Sequence, residues 1–583
     1  MRSKTTRRDF LRDLAWLPAA SVWPGRVWAD AGDPAAKANP YHVEFDDVTA
    51  ESGIRFVHER AASTEKLVVE TMGAGCAWLD YDQDGFLDAF FVNSGATPQF
   101  HPASMPQPAL YRNNGDGTFT DVTVRSGIRV NDGFYIGAAV GDFNNDGYPD
   151  IYMTGYGKSV LYRNNGNGTF TDITARAGVE NAGRWATAAA WFDYDHDGRL
   201  DLLVTNYIDY DWNHDPYCGA RLPGYRVYCD PFHFRGTSMR LYHNNGDGTF
   251  TDRTEQAGLL NPEGKSLGLV IADFDGDGWD DILIGNDGMR SFLYFNNRNG
   301  TFRDATYESG AGFGGNGEVE SGMGIDAADA TGKGRMDFFV CHMDNQPNRF
   351  YVNNGDGTFT DRTMNTGFGF SGIRNTSYAV RFVDWDNDGN RDLIVVNGSM
   401  LDNIRLYHPD SSYAEAKMLY RNTGEGQFVD ASGTQPASFG VARVGRGLAV
   451  GDYDNDGNID FLQSNNGEQA QLYRNLGARG NHWITLKLIG TRSNRDAIGA
   501  RVQLRAGDFF SFDQVRSGGS YCSSHDLRLH FGLGARENAD EIEIRWPSGV
   551  TDRLTHLKAN QFYAVREGEG VVPSKFPRFR NRH

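Results

Sequence analysis

Nine-residue loops with aspartate at positions 1, 5 and 9, aspartate or asparagine at position 3 and glycine at position 6 recur along this chain, and that spacing is suited to holding a divalent cation. The six intact sets are Asp80, Asp82, Asp84 and Asp88; Asp142, Asn144, Asp146 and Asp150; Asp193, Asp195, Asp197 and Asp201; Asp273, Asp275, Asp277 and Asp281; Asp384, Asp386, Asp388 and Asp392; and Asp452, Asp454, Asp456 and Asp460. Hard cations such as calcium take six to eight oxygens at flexible geometry, and alternate carboxylates wrap one point while the glycine permits a sharp backbone turn. Carboxylates this close repel strongly without a counter-charge. The expectation is about six Ca2+ sites. A seventh copy, 329–337, carries Ala330, Thr331 and Lys333 between its terminal aspartates, so no ion is expected there and the Lys333 ammonium is expected in its place.

An EF-hand would place glutamate at loop position 12, where this chain has Phe91, Met153, Val204, Ile284, Val395 and Gln463. Short apolar runs flank each loop instead, so the loop joins two strands and its ninth residue already lies in the second. A second recurring phrase, LYRNNGDGTFTDVT at 110–123 and its variants, reads as a hairpin: an aromatic-bearing strand, an Asn/Gly turn suited to positive φ, and a strand carrying T-F-x-D-x-T. Four antiparallel strands per repeat read as a propeller blade. The seventh LYRN, at 472–475, has no fourth strand after it, while 43–49 is such a strand without partners. The chain's first strand should therefore complete the last blade and remove the free edges. The fold class expected is all-β: a seven-bladed β-propeller with calcium-binding loops, followed by a small C-terminal β-sandwich.

The formal charge of the 583 residues is −19, much of it in the loops, and no basic face offsets it, which argues against a nucleic-acid partner. The basic tail at 571–583 reads as solvated. At the N-terminus, TRRDFL (6–11), an apolar stretch and small residues near 29–31 read as a twin-arginine signal over 1–31, and no other stretch approaches a membrane span. A periplasmic or secreted location follows. In an oxidising compartment Cys218 and Cys229, within one long insertion (207–236), would close a disulfide loop; Cys76, Cys341 and Cys522 read as buried apolar residues.

With the Asp loops, the turn phrase and the C-terminal run VRSGGSYCSSHDLRLHFGLG (515–534) followed by IEIRWPSGV (542–550), the chain resembles the FG-GAP/VCBS-repeat proteins that carry a C-terminal ASPIC/UnbV domain, the family that includes the cartilage acidic proteins. The resemblance implies a propeller over 40–479, an ASPIC/UnbV domain over 480–570, and calcium hairpins on one face with ligand-bearing loops on the other. Strand alternation in 483–488, 501–506 and 541–546 independently reads as a half-buried sandwich beside the propeller.

On the face away from the hairpins, His58, Glu70, Glu320, His342 and Asp344 are the polar groups that could converge, with His58, Glu70 and His342 as candidate base or metal ligands. Trp185, Tyr135 and Tyr378 could line the channel mouth. Asn93, Asn206, Asn286, Asn397 and Asn465 recur just after the second strand and read as structural caps. No phosphate loop and no dinucleotide fingerprint in a strand-to-helix setting is present. The leading expectation is an exported calcium-stabilised binding or adhesion module for a glycan or protein ligand. The alternative is an extracytoplasmic enzyme, a carbohydrate lyase or a metal-dependent oxidoreductase.

Overall fold

Residues 43–369, 371–477 and 480–579 are described in the computed structural model; the expected signal at 1–31 lies outside them. Blade 1 consists of Cys76–Leu79, Asp88–Phe91, Ala109–Asn113 and Phe119–Asp121, paired antiparallel in that order. Blades 2 to 7 repeat the plan, with innermost strands Phe134–Gly141, Ala186–Phe192, Ser266–Ala272, Ile325–Ala328, Ser377–Val383 and Gly445–Gly451. Each innermost strand packs against those on either side, and the ring closes where blade 7 meets blade 1. Buried on both faces, these strands are rich in glycine, alanine and β-branched residues. Phe45–Asp47 completes blade 7, Phe45 lying opposite Asn475. Among the described residues no helix is long and apolar enough to cross a membrane.

The C-terminal sandwich packs the sheet containing His482–Ile489, Gln561–Arg566 and Leu529–Gly534 against that containing Arg501–Ala506, Phe509–Gln514 and Asn538–Arg545. Its core of Ile484, Leu486, Val502, Leu504, Phe531 and Ile542 is continuous with that of blades 3 and 4. The sandwich lies across the Asp-loop face, not beside the propeller as its strand pattern led us to expect. Asp496 accepts from the Asp142 N–H at 2.7 Å, Arg501 Nη1 reaches Asp273 at 2.6 Å, the Gly532 N–H meets Asp384 at 3.1 Å, and Arg528 Nη2 meets the Asp452 carbonyl at 2.7 Å.

Between the strands Phe509–Gln514 and Leu529–Gly534, residues 515–526 run down the propeller axis and touch every blade. Ser517 Oγ accepts from Trp191 N (3.0 Å), Gly519 N donates to Leu269 O (2.7 Å), Ser520 N to Ile325 O (2.7 Å), Ser524 N to Cys76 O (3.0 Å) and Asp526 N to Val450 O (3.1 Å). Cys522 O accepts from Ala138 N (3.1 Å), and the Tyr521 ring packs edge-on against Tyr378 at 5.0 Å. Innermost strands are sheet edges whose polar groups need partners, and this plug supplies them. Gly75 is required by the close approach: a Cβ there would lie 1.6 Å from the Cys522 carbonyl oxygen.

At the opposite end of the axis the insertion at 207–236, closed by a Cys218–Cys229 disulfide (Cα–Cα 5.3 Å), reaches from blade 3 to two other parts of the ring. Tyr228 donates to Glu70 at 3.1 Å and Arg226 pairs with Glu65, while Asn403 Nδ2 donates to the Gly224 and Arg226 carbonyls, both at 2.9 Å. Part of the tail is also not free in solvent as its charge predicts: Phe579 packs on Phe86 (5.6 Å) and Tyr453 (5.4 Å), and Asn455 Nδ2 donates to the Pro577 carbonyl at 2.7 Å.

Candidate metal centres

Each Asp loop is built by its own backbone. Position 4 is left-handed in all seven copies, occupied by Gln83, Asn145, His196, Gly276, Gly332, Asn387 and Asn455, and the position 6 glycine follows at positive φ. That turn points N–H groups inward at the first aspartate: Asp84 N and Gly85 N donate to Asp80 at 3.0 and 3.2 Å, and Asp456 N and Gly457 N to Asp452 at 3.1 and 2.8 Å. The ninth residue is fixed from the third strand, since Asp88, Asp150, Asp201, Asp281, Asp392 and Asp460 each accept the N–H of the LYRN-type asparagine at 2.7 to 2.8 Å.

In blades 1, 3, 4 and 6 the carboxylates at positions 1, 3 and 9 bring one oxygen each within 4.8 Å of one another, so these clusters could hold a metal ion. The donor set fits: Asp82 Oδ1, Asp150 Oδ2, Asp195 Oδ1, Asp201 Oδ2 and Asp384 Oδ1 are buried and have no hydrogen-bond partner. Burial pushes the acids of Asp80 and Asp273 up to about 6 and those of Asp142 and Asp201 up to about 7, with neighbouring carboxylates adding to the rise. A divalent cation reverses that preference, replacing protons as the counter-charge. In blades 1, 6 and 7 a third-strand guanidinium stands at the rim, with Arg112, Arg421 and Arg474 each 2.6 Å from the position 3 carboxylate of Asp82, Asp386 and Asp454.

The degraded loop keeps the turn without the acidic set. Lys333 N and Gly334 N still donate to Asp329, at 2.8 and 2.7 Å. The expected ammonium substitution is corrected: Lys333 is exposed, and the Thr331 hydroxyl satisfies Asp337 Oδ2 at 2.9 Å.

One repeated residue was overlooked in the sequence. The LYRN-type asparagine of each blade also donates its side-chain amide to the position 2 carbonyl of the preceding blade's loop. Asn164 reaches Tyr81, Asn244 Phe143, Asn296 Tyr194, Asn353 Phe274, Asn422 Ala330 and Asn475 Trp385, all at 2.8 to 2.9 Å. Its invariance across seven copies was the available signal. Asn93, Asn206, Asn286, Asn397 and Asn465 donate across the connection to the third strand, at 2.7 to 3.1 Å.

The polar groups singled out on the opposite face fall into separate networks. His58 Nε2 meets Ser94 Oγ at 2.9 Å and its Nδ1 accepts from Gly467 N at 3.2 Å; burial, then the charges of Arg446 and Arg60, lower its pKa to about 3. Glu70 accepts from Ser63 N and Leu67 N, both at 3.1 Å, besides Tyr228. Around blade 5, Glu320 is forked onto Arg349 with His342 Nε2 at 3.7 Å, and Asn345 donates to Asp344 at 3.1 Å. Trp185, Tyr135 and Tyr378 are all buried, and Tyr378 lies under the Arg446 guanidinium at 3.7 Å.

A seven-bladed ring with acidic loops on one face, capped and plugged by a C-terminal sandwich, defines the class. Profiles of known families match it: the FG-GAP-like repeat over 80–153, 142–204, 234–284, 273–340 and 329–395, and the ASPIC and UnbV domain over 490–572. The chain belongs to the FG-GAP-repeat proteins that carry an ASPIC/UnbV domain. It is 26% identical to cartilage acidic protein 1 of Mus musculus, over 82% of this chain and 70% of the mouse protein. Against the Homo sapiens protein of the same name the identity is 24%, over 72% of this chain and 61% of the human one, less than two thirds of its length. Among solved structures it is similar to an Agrocybe aegerita lectin that recognises non-reducing terminal N-acetylglucosamine, with TM-score 0.38 and 19% identity over 68% of this chain and 86% of the lectin.

Proposed function

We propose that this is a protein exported by the twin-arginine route and stabilised by about six calcium ions in the intact Asp loops, which acts as a binding or adhesion module for a glycan or protein ligand. Calcium suits the loops because their donors are oxygens on a flexible turn. It would be held by the position 1, 3, 5 and 9 side chains and supply charge neutralisation there.

One observation carries the reading. With much of the loop face under the sandwich and the axis filled, the face formed by connections from second to third strands is left uncovered. There Tyr217 (39% exposed), Leu222 (58%), Leu406 (45%) and Tyr407 (36%) lie on the disulfide-closed insertion and the 401–408 segment. The two segments hold each other, with the Tyr225 and Tyr407 rings at 5.6 Å, and Arg221 and Arg226 flank Tyr217 at 4.9 and 5.0 Å. Exposed aromatic and arginine side chains on a rigid support are the composition of binding hot spots. The enzyme alternative draws less support, because His58 and Glu70 are buried inside their own hydrogen-bond networks and His342 is buried 3.7 Å from a Glu320 already forked onto Arg349.

The test is a glycan array and an envelope-protein pull-down with the calcium-loaded protein and a Tyr407→Ala, Leu222→Asp double variant. Binding that weakens at least tenfold in the variant supports the reading; absence of any ligand in both screens defeats it.

A further inference from the structure

We propose that blade 3 carries a transition-metal site, in which His243 joins the Asp193–Asp201 loop to bind a first-row divalent cation of the zinc class where the other intact loops take calcium. The inference rests on reading the loops as cation sites and goes beyond it in the identity of the ion.

One third-strand position faces the Asp loop in other blades. The third-strand residue two places beyond the LY leucine is Arg112, Arg421 and Arg474 in blades 1, 6 and 7, and each guanidinium lies on its loop's position 3 carboxylate at 2.6 Å. Blade 3 has His243 there. A guanidinium stays charged and competes with an ion, whereas a neutral imidazole donates a lone pair to it. The exchange turns the third-strand competitor into a ligand, while Arg199 within the loop pairs with Asp197 and leaves Asp193, Asp195 and Asp201 to join His243.

The geometry agrees. His243 Nδ1 is 3.2 Å from Asp201 Oδ1 and 3.5 Å from Asp195 Oδ2, so one ring nitrogen faces both carboxylates. Asp201 is fully buried and its Oδ2 has no partner, and Asp195 Oδ1 is likewise orphaned. His243, Asp195 and Asp197 each place a ligand atom within 4.8 Å of the others, as do Asp193, Asp195 and Asp201. The Tyr194 ring meets the imidazole edge-on at 5.9 Å and holds its orientation.

Ligand chemistry then selects the ion. Calcium favours all-oxygen shells, while a mixed imidazole and carboxylate set suits zinc and its neighbours. A cavity of about 410 Å³, lined by Tyr194, Asp195, His243 and Trp279, opens on the site. It leaves a coordination position accessible to water or an added ligand, as in metal sites that are not purely structural.

The experiment uses the full chain saturated with calcium, then incubated with zinc chloride in excess calcium, desalted and subjected to elemental analysis. We expect about one zinc per chain beside the calcium, and none in His243→Arg, which restores the residue of blades 1, 6 and 7. Zinc absent from the wild type, or retained equally by the variant, overturns the proposal. Should His243→Arg not fold, the wild type loaded with Co2+ decides: a hyperfine-shifted, exchangeable imidazole N–H proton supports the site, and its absence overturns it. One zinc with no calcium would keep this proposal and defeat the calcium reading; calcium in the loops with no zinc would do the reverse.

Discussion

The side-chain amide of Asn113 in blade 1 donates to the main-chain carbonyl of Tyr453 in blade 7 at 2.9 Å, joining residues 340 apart in sequence across the closure of the ring. The same amide reaches Leu87 O at 3.1 Å, and its oxygen accepts from Gly115 N at 3.0 Å. Asn113→Ala should therefore lower stability by about 2–4 kcal/mol in denaturant unfolding, because buried groups lose partners on both sides of a blade seam. Asn114→Ala, which loses an exposed bond to Thr118, should change it by under about 1 kcal/mol. Equal effects would mean that the seam bonds are not what hold the ring.

Removing calcium should lower the melting temperature. A site filled at a hundred times its dissociation constant stabilises by about 2.7 kcal/mol, so several such loops should shift the midpoint by many degrees on chelation. A melting temperature indifferent to chelator, in a sample whose metal content falls, would refute the reading of the loops.

The axial plug can be tested by crowding it. Gly75→Ala places a methyl against the Cys522 carbonyl and should displace 515–526. The expected signature is faster amide exchange across that segment and a loss of stability of about 2–4 kcal/mol. Unchanged protection of Ser520 and Ser524 amides would show that the backbone absorbs the methyl elsewhere.

Acid should weaken the protein through two buried histidines. Burial, followed by nearby arginines, holds the His58 and His342 imidazoles at about 3 in the folded state, whereas the unfolded chain protonates them near 6.5. Between those values the unfolded state binds more protons, so this contribution to stability rises with pH. It is complete above about 6.5 and is lost on acidification toward 3. Calorimetry at pH 5 with calcium saturating should find that His58→Gln reduces proton uptake on unfolding by about one. No change in uptake would place the His58 proton elsewhere.

Reducing the Cys218–Cys229 bridge should loosen the insertion without unfolding the ring. Closing a loop of this size is worth roughly 3 kcal/mol in the chain-entropy account. Cys218→Ser with Cys229→Ser should raise protease sensitivity within 216–230 and weaken ligand binding at Tyr217 and Leu222, while the melting transition of the blades moves little. A matching collapse of the whole transition would make the bridge part of the global fold.

Blade number, the strand that closes blade 7 and the acidic loops were legible in the sequence, because period-2 apolar runs and turn residues repeat within each blade. The plug was not. Residues 515–526 show no alternation, and their partners lie up to 449 positions away, as in the Tyr521 hydroxyl to Met72 carbonyl bond. The inter-blade role of Asn113 and its six equivalents was hidden because the residue sits at the start of a turn, where a local job is the simpler reading. The tail was misjudged from charge alone, since the rings of Phe576 and Phe579, not the lysine and arginines around them, decide where it packs.

The plug also orders events in time. The first strand of the chain waits for blade 7, and every innermost strand waits for a segment made after all seven blades, so the ring's closure and its hub both join distant parts of the chain. Loop closure over such separations is slow. A ribosome-bound chain would therefore carry a ring with an open hub until nearly all of it had emerged, and release of the C-terminal domain would act as the latch that converts a loose array of blades into one cooperative body.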